Sequence, residues 1–362
     1  MIYNLQILRA LAAYSVFLTH FGLYAGPILP RPDVMAFGAA GVDVFFVVSG
    51  FIMFVSTAGR SETPGSFLLR RAIRVVPLYW LVTLGLALIA LAGLKPIGIV
   101  ELRPDYVVQS LLFLPFSRGG YVEPLNSVGW TLNYEMFFYA GFAALLLVSD
   151  LRARLIGLAA AFGALVLLGL APVPGLYWAY YTKPIVLEFV AGAALGYAYL
   201  RCGAPSPGFP VRRAAVGALA VAGALILGGQ AVAGALGADL EMTGFLRPLV
   251  WGSAAALAVG ALLLLERGGI VLRSRWLFSQ GNASYAFYLI HNLMLHAGAK
   301  VAAVLVVPGP LRVVLVFVLA FSASVLLGEW LFRCVERPIG AALRRLCDRS
   351  PGPGPLPGAV PS

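Results

Sequence analysis

Residues 37–58 read FGAAGVDVFFVVSGFIMFVSTA, an apolar run interrupted by one ionisable side chain, Asp43, and by a few small polar ones. A helix needs about 20 mostly apolar residues to cross a bilayer, and this run supplies that length. A carboxylate inside such a run is costly in hydrocarbon, so Asp43 is a functional candidate as well as a topological oddity. Comparable runs lie at 5–25, 75–94, 129–148, 153–170, 184–200, 214–236, 246–266, 284–306 and 311–333. Over the 362 residues, hydrophobic types make up 60% and charged types 11%. An ordinary soluble domain carries about 25% charged residues. A soluble globular enzyme is therefore excluded, and so is a disordered chain, which needs low hydrophobicity and high charge. A β-barrel would show alternating segments of about ten residues rather than continuous runs. The expected fold is an all-α integral membrane protein with ten transmembrane helices in one bundle.

The formal net charge is +11, from 26 Lys+Arg against 15 Asp+Glu. In a membrane protein this excess marks cytoplasmic loops and calls for no nucleic acid. With the N-terminus inside, 17 Lys and Arg fall in cytoplasmic segments and 7 on the other side, so both termini are expected in the cytoplasm. Cys202, Cys334 and Cys347 all fall at cytoplasmic ends, where thiols stay reduced. The first run contains Arg9 and His20 and no small-x-small cleavage site follows it, so it reads as a retained span. Residues 1–349 form the expected transmembrane domain, and 350–362 a Pro/Gly-rich disordered tail. The apolar stretch Tyr106–Phe116 is too short to span and is expected at the interface or folded over the outer mouth.

Other ionisable groups inside the runs include Arg9, His20, Glu135, Glu188, His291, His296 and Lys300. By the assumed span ends, His20, Asp43 and Glu135 share one level, about 8–9 Å below the outer surface at 1.5 Å rise per residue. Arg9 lies eleven residues before His20, which is close to three full turns and about 16 Å of rise, so both point to nearly the same face. Arg70, Arg71 and Arg74 stand where the third span leaves the cytoplasm, spaced to share a helical face. Guanidinium groups converging at a mouth suit phosphate, through bidentate charge-assisted bonds. The plainer readings are a topology signal for the arginines and an interhelical hydrogen bond for a lone intramembrane histidine.

With these residues in place the chain resembles the integral membrane acyltransferases of the acyltransferase-3 type. LRALAAYSVFLTH carries the Arg-x10-His pattern in Arg9 and His20; GVDVFFVVSGF, from Gly41 to Phe51, is similar to the second-helix signature. Arg71-Ala-Ile-Arg74 is the Arg-x-x-Arg motif, followed by Pro77 and Tyr79. GWTLNYEMFFY, from Gly129 to Tyr139, supplies the Trp…Glu…Phe-Tyr signature with Glu135. GNASYAFYLIH, from Gly281 to His291, resembles the penultimate-helix motif, and Glu336-Arg337-Pro338 the closing one. Asn292 departs from the Trp-Pro that follows this His in many relatives. WTLNYEMFFY without a further hydrolase-like domain looks most like the branch that acetylates bacterial exopolysaccharide.

The resemblance implies acyl transfer from cytoplasmic acyl-CoA, with acetyl preferred, to a hydroxyl of a carbohydrate or lipid-linked sugar at the bacterial plasma membrane. It implies no metal. Arg9, Arg70, Arg71, Arg74 and His291 would then serve the CoA, and His20 would be the general base. A carboxylate would hold the other ring nitrogen of His20, Asp43 first and Glu135 next. Gly41 and Gly50 permit close helix packing, Ser49 is interhelical glue or an acyl carrier, and Asn282 or Ser284 caps the ninth span. Glu336 and Arg337 form a local ion pair. The rival reading is a proton-coupled transporter, since intramembrane His, Asp and Glu also build proton relays. Such transporters show repeats and paired broken helices, which this sequence lacks.

Overall fold

A computed structural model describes residues 2–25, 32–60, 62–94, 102–118, 120–203, 209–237, 240, 244–305 and 308–348. The tail 350–362 and the charges Arg31, Lys95 and Arg349 lie outside these residues. The described chain is an all-α membrane protein: α1 Tyr3–Ala25, α2 Ala40–Thr57, α3 Pro64–Leu91, α4 Pro104–Leu111, α5 Trp130–Leu145, α6 Leu151–Leu168, α7 Leu176–Tyr181, α8 Leu187–Arg201, α9 Phe209–Ala235, α10 Ser253–Arg267, α11 Arg275–Val304, α12 Gly309–Leu331 and α13 Arg337–Asp348. A two-residue antiparallel ladder joins β1 (Ser117–Arg118) to β2 (Tyr121–Val122). Among the described residues, seven segments are long and apolar enough to cross a membrane: Tyr3–Tyr24, Met35–Thr57, Pro64–Leu91, Leu151–Leu168, Pro210–Ala235, Pro248–Arg267 and Gly309–Cys347. Helices α5, α8 and α11 coincide with the other three expected runs and are not among these seven segments.

Helix α2 is the axis of the bundle. Of its most apolar window 78% is buried, against 17% for α9 and 22% for α6. A helix apolar all round belongs in an interior, and α2 reads that way in sequence. Small residues let its neighbours close on it. A side chain at Gly41 would strike the Ala12 carbonyl and Ser15 of α1, and one at Gly50 the Phe189 carbonyl of α8. The expected packing role of both glycines is met. On the other side of α1, Gly281 of α11 lies against the Gln6 carbonyl. Helices α6, α9 and α12 form the outer ring, with Leu167, Leu227 and Leu326 each more than 60% exposed. Such surface suits lipid, which holds side chains that water would not.

Two helices begin earlier than their apolar runs. Thr63 accepts a hydrogen bond from the Ser66 N–H at 3.2 Å, with Pro64 at the first helical position, so α3 starts eleven residues before position 75. Ser274, rather than Asn282 or Ser284, caps α11 by accepting from the Leu277 N–H at 3.3 Å. An apolar run marks only the lipid-facing length of a helix, whereas the cap fixes where the backbone starts to turn. Arg70, Arg71 and Arg74 therefore ride on α3 itself.

The first turn of α1 is fixed by a carboxylate from a distant element. Glu266, at the end of α10, accepts from the Tyr3 and Asn4 N–H groups at 2.7 Å each. Asn4 is wholly buried; its amide donates to the Leu262 and Ile270 carbonyls and its oxygen accepts from Leu272 N–H. An anion at a helix N-terminus satisfies orphan donors and complements the dipole. These bonds set the height of α1, and with it the heights of Arg9 and His20.

Replacing Gly281 by Val should force α11 from α1, at an overpacking cost of about 1–3 kcal/mol. Gly217 of α9 has open space around it, so Gly217→Ala should keep or raise stability. The fraction of protein staying monodisperse after heating in detergent checks both; equal behaviour would mean that the α1–α11 approach does not limit stability.

Candidate active site

Five helices surround a cavity of about 290 Å³ near the start of α1. Arg9 comes from α1, Ser49 from α2, Arg71 and Arg74 from α3, Glu135 and Tyr139 from α5, and Ser284, Tyr285 and Tyr288 from α11. The remaining wall is largely apolar, including Phe45, Phe46, Ile52 and Met53. Three guanidinium groups thus share a low-dielectric space with one carboxylate. Glu135 accepts from Ser49 Oγ at 3.0 Å and from the Tyr139 hydroxyl at the same oxygen. Arg9 donates to Gln6 Oε1 at 3.0 Å. Arg74 lies over the Tyr285 ring at 5.6 Å and is ion-paired with Glu336. Arg71 lies over Phe67 at 5.4 Å. Even with Glu135 and Glu336 both ionised, the three arginines leave an excess of positive charge.

Arg9, Arg71, Arg74 and Glu135, singled out from the sequence, are therefore brought together. Arg70 is not among them: it pairs with Glu62. Glu336 does not pair with its neighbour Arg337, as the sequence suggested. Between α12 and α13 the helix widens into a π turn over Phe332–Glu336, and the Glu336 carboxylate is buried against α3. The closing motif thereby holds the Arg-x-x-Arg motif.

His20 belongs to a second polar group, outside the cavity wall. Its Nδ1 lies 3.0 Å from the Val16 carbonyl oxygen and 3.1 Å from His291 Nε2. His291 Nδ1 lies 2.7 Å from the Tyr288 carbonyl oxygen. His291 is fully buried and does not line the cavity. Glu135 is not level with Asp43. It bonds Ser49, six residues further along α2 than Asp43, which is about 9 Å of helix rise. The reason is that the chain before α5 is already sunk in the bundle. Leu125, Asn126 and Val128 are buried, and Asn126 donates to the Leu289 carbonyl at 3.0 Å, so α5 starts deep.

Asp43 forms a third group. Its two oxygens accept from Arg247 at 3.1 and 2.8 Å, with neither residue more than 7% exposed. Arg247 precedes a π turn, Pro248–Gly252, that lays Trp251 over the guanidinium at 5.1 Å. Glu188, at the start of α8, is buried beside this pair. Asp43 thus does not reach His20, and the expectation that it orients the imidazole is corrected. Arg247 falls at the start of the apolar run 246–266. Nothing in a pattern of spacings links it to Asp43, 204 residues away. Tyr139 and Ser49 were noted in motifs but not placed with Glu135, since an aromatic and a small polar residue on apolar helices have common interfacial and packing roles.

The acyltransferase-3 family model, described as an acyltransferase domain, matches residues 2–329. The exopolysaccharide production protein ExoZ of Rhizobium meliloti (strain 1021) is 37% identical over 308 residues, covering 83% of this chain and 89% of that protein. Nodulation protein 10 of Rhizobium leguminosarum bv. viciae is 30% identical over 154 residues, 38% of this chain and 42% of that protein. No solved structure matches the chain.

Removing one partner of a buried ion pair leaves an uncompensated charge and costs about 3–5 kcal/mol, whereas a neutral pair of similar size can be tolerated. Arg247→Gln alone should therefore lower the amount of folded protein in membranes, and Asp43→Asn/Arg247→Gln should recover most of it. The recovered double variant should retain acyl transfer within about tenfold, below the 10²–10⁴-fold loss expected at a catalytic base. A folded but inactive double variant would return Asp43 to the chemistry.

Proposed function

Since this chain belongs to the acyltransferase-3 family and is a membrane O-acyltransferase, we propose that it carries an acyl group, acetyl by preference, from acyl-CoA to a hydroxyl of an exopolysaccharide sugar. The observation that carries this reading is the set of three guanidinium groups in one apolar-walled cavity, Arg9, Arg71 and Arg74. CoA is a polyanion with its thioester at the end of a long thin arm. Arginine forks bind phosphate oxygens two at a time, and their hold strengthens where water is scarce. Among the described residues no carboxylate besides Glu135 lines the cavity, so an anionic ligand would balance the excess positive charge. Glu135 keeps the Ser49 and Tyr139 hydroxyls aligned and spaces the arginines; it is not the base in this reading.

His20 is the base. It lies eleven residues beyond Arg9 on the same helix, about 16 Å along the axis, so a donor held at the arginines has an arm's length to reach it. A neutral imidazole takes a hydroxyl proton near pH 7. The acceptor oxygen forms its bond to the thioester carbonyl carbon, the carbon–sulfur bond breaks, and the CoA thiolate leaves to be protonated. The exopolysaccharide acceptor is supported by the relative that this chain matches over most of both lengths, a protein of exopolysaccharide production. The 17-to-7 charge asymmetry supports ten spans in a bacterial inner membrane with both termini in the cytoplasm, which puts the arginine cavity on the side where acyl-CoA is made.

The Arg71→Ala/Arg74→Ala variant should bind acetyl-CoA at least about tenfold more weakly while staying folded, since charge-assisted bonds contribute about 1.5–3 kcal/mol each. Isothermal titration in detergent measures this, and unchanged affinity would reduce the arginines to a topology signal. His20→Ala should bind acetyl-CoA normally and lose about 10²–10⁴-fold in transfer rate. Reporter fusions after Arg60 and Arg349 should both report cytoplasm.

A further inference from the structure

We propose that His291 is the positioning residue that fixes His20 in its basic tautomer, the part that a carboxylate plays in other nucleophile-activating sites. This rests on the reading of His20 as the base. The argument is a chain of hydrogen-bond polarities. The Tyr288 carbonyl oxygen can only accept, and it lies 2.7 Å from His291 Nδ1. That nitrogen therefore carries hydrogen, and in a neutral ring His291 Nε2 is the acceptor. His291 Nε2 faces His20 Nδ1 at 3.1 Å, so His20 Nδ1 is the donor. The Val16 carbonyl, 3.0 Å from the same nitrogen, requires the same assignment. Two acceptors on one side of the ring hold the hydrogen at Nδ1 and leave the lone pair at His20 Nε2. Among the described residues no hydrogen-bond partner occupies that nitrogen, so it is free for an acceptor hydroxyl.

Packing makes His291 suited to the task. Its ring is fully buried, stacked on Phe287 at 6.0 Å and 8°, and flanked by Phe17 at 6.3 Å and Tyr288 at 5.6 Å. A ring so enclosed keeps one orientation, and its aromatic neighbours supply no counter-ion that would favour a second positive charge. When His20 takes the hydroxyl proton at Nε2, its Nδ1–H is shared between the Val16 carbonyl and His291 Nε2, and the imidazolium is held by two neutral dipoles. The carboxylate that sequence reading preferred for this place is spent elsewhere, since Arg247 engages both oxygens of Asp43.

The test uses membrane vesicles containing the full chain and its native polysaccharide, with radiolabelled acetyl-CoA, and counts label in the polymer. His291→Ala should lower turnover about 10²-fold, the low end of the range for losing a working base, with KM for acetyl-CoA within about twofold of the parent. Added imidazole, which fits the space the ring vacates, should restore part of that turnover. His291→Gln places an amide oxygen near the position of Nε2 and should retain far more turnover than His291→Asn, which reaches only the Nδ1 position. Should His291→Ala accumulate poorly, the Gln and Asn pair carries the test. Full turnover in His291→Ala would overturn the proposal. So would a loss confined to KM for acetyl-CoA, or equal loss in Gln and Asn without imidazole rescue. His20→Ala run alongside separates the two claims: an active His20→Ala removes the base itself, whereas an inactive His20→Ala beside an active His291→Ala removes only the positioning role.

Discussion

A charge placed inside an apolar bundle has to be balanced by other protein groups, because hydrocarbon offers it nothing. The Asp43–Arg247 pair shows how far the fold goes to meet this constraint. The pair is bidentate and buried, and it joins the first turn of α2 to the turn that leads into α10. Glu188 brings the start of α8 to the same place. Helix α2 is held at one end by this group and along its length by the close approaches at Gly41 and Gly50. The other polar groups take their positions from that axis. Ser49 meets Glu135 from α2, and α1 lies against α2 with Arg9 and His20 at fixed heights.

Polar side chains on α1 then sort into two levels with different chemistry. The level of Arg9 is a cavity with surplus positive charge, suited to holding an anion. Among the described residues the level of His20 has no charged partner and is organised by backbone carbonyls and a second imidazole. Separating them keeps the histidine away from the electrostatic influence of three guanidinium groups, which would resist its taking a proton. It also matches the proposed acyl-CoA donor, with its charge at one end and its reactive carbonyl at the other. The Glu336–Arg74 pair adds a link between the last helices and α3, so the last described helices help to shape the arginine cavity.

Much of this was legible in the sequence. Length and apolarity of the runs identified the helices, because crossing hydrocarbon imposes a minimum run that few other folds need. Motif spacing placed Arg71 with Arg74 on one face of α3, and Arg9 in line with His20 on α1: three residues and eleven residues are both near whole turns, and the period of a helix does not depend on its neighbours. The starts of α3 and α11 were misjudged, since the caps at Thr63 and Ser274 lie outside the apolar runs.

What the sequence could not carry was partner choice. It presented His20, Asp43 and Glu135 as one group because equal distances along three assumed helices look like equal depth. The tertiary structure separated all three, giving Asp43 to Arg247, Glu135 to Ser49 and Tyr139, and His20 to His291. The sunken chain before α5 and the bonds from Glu266 to the start of α1 set those heights, and both depend on contacts between residues far apart in the chain. Local periodicity fixes which face of a helix a side chain occupies. The relative height and rotation of one helix against another are set by long-range packing and hydrogen bonds, and these decide which polar groups meet.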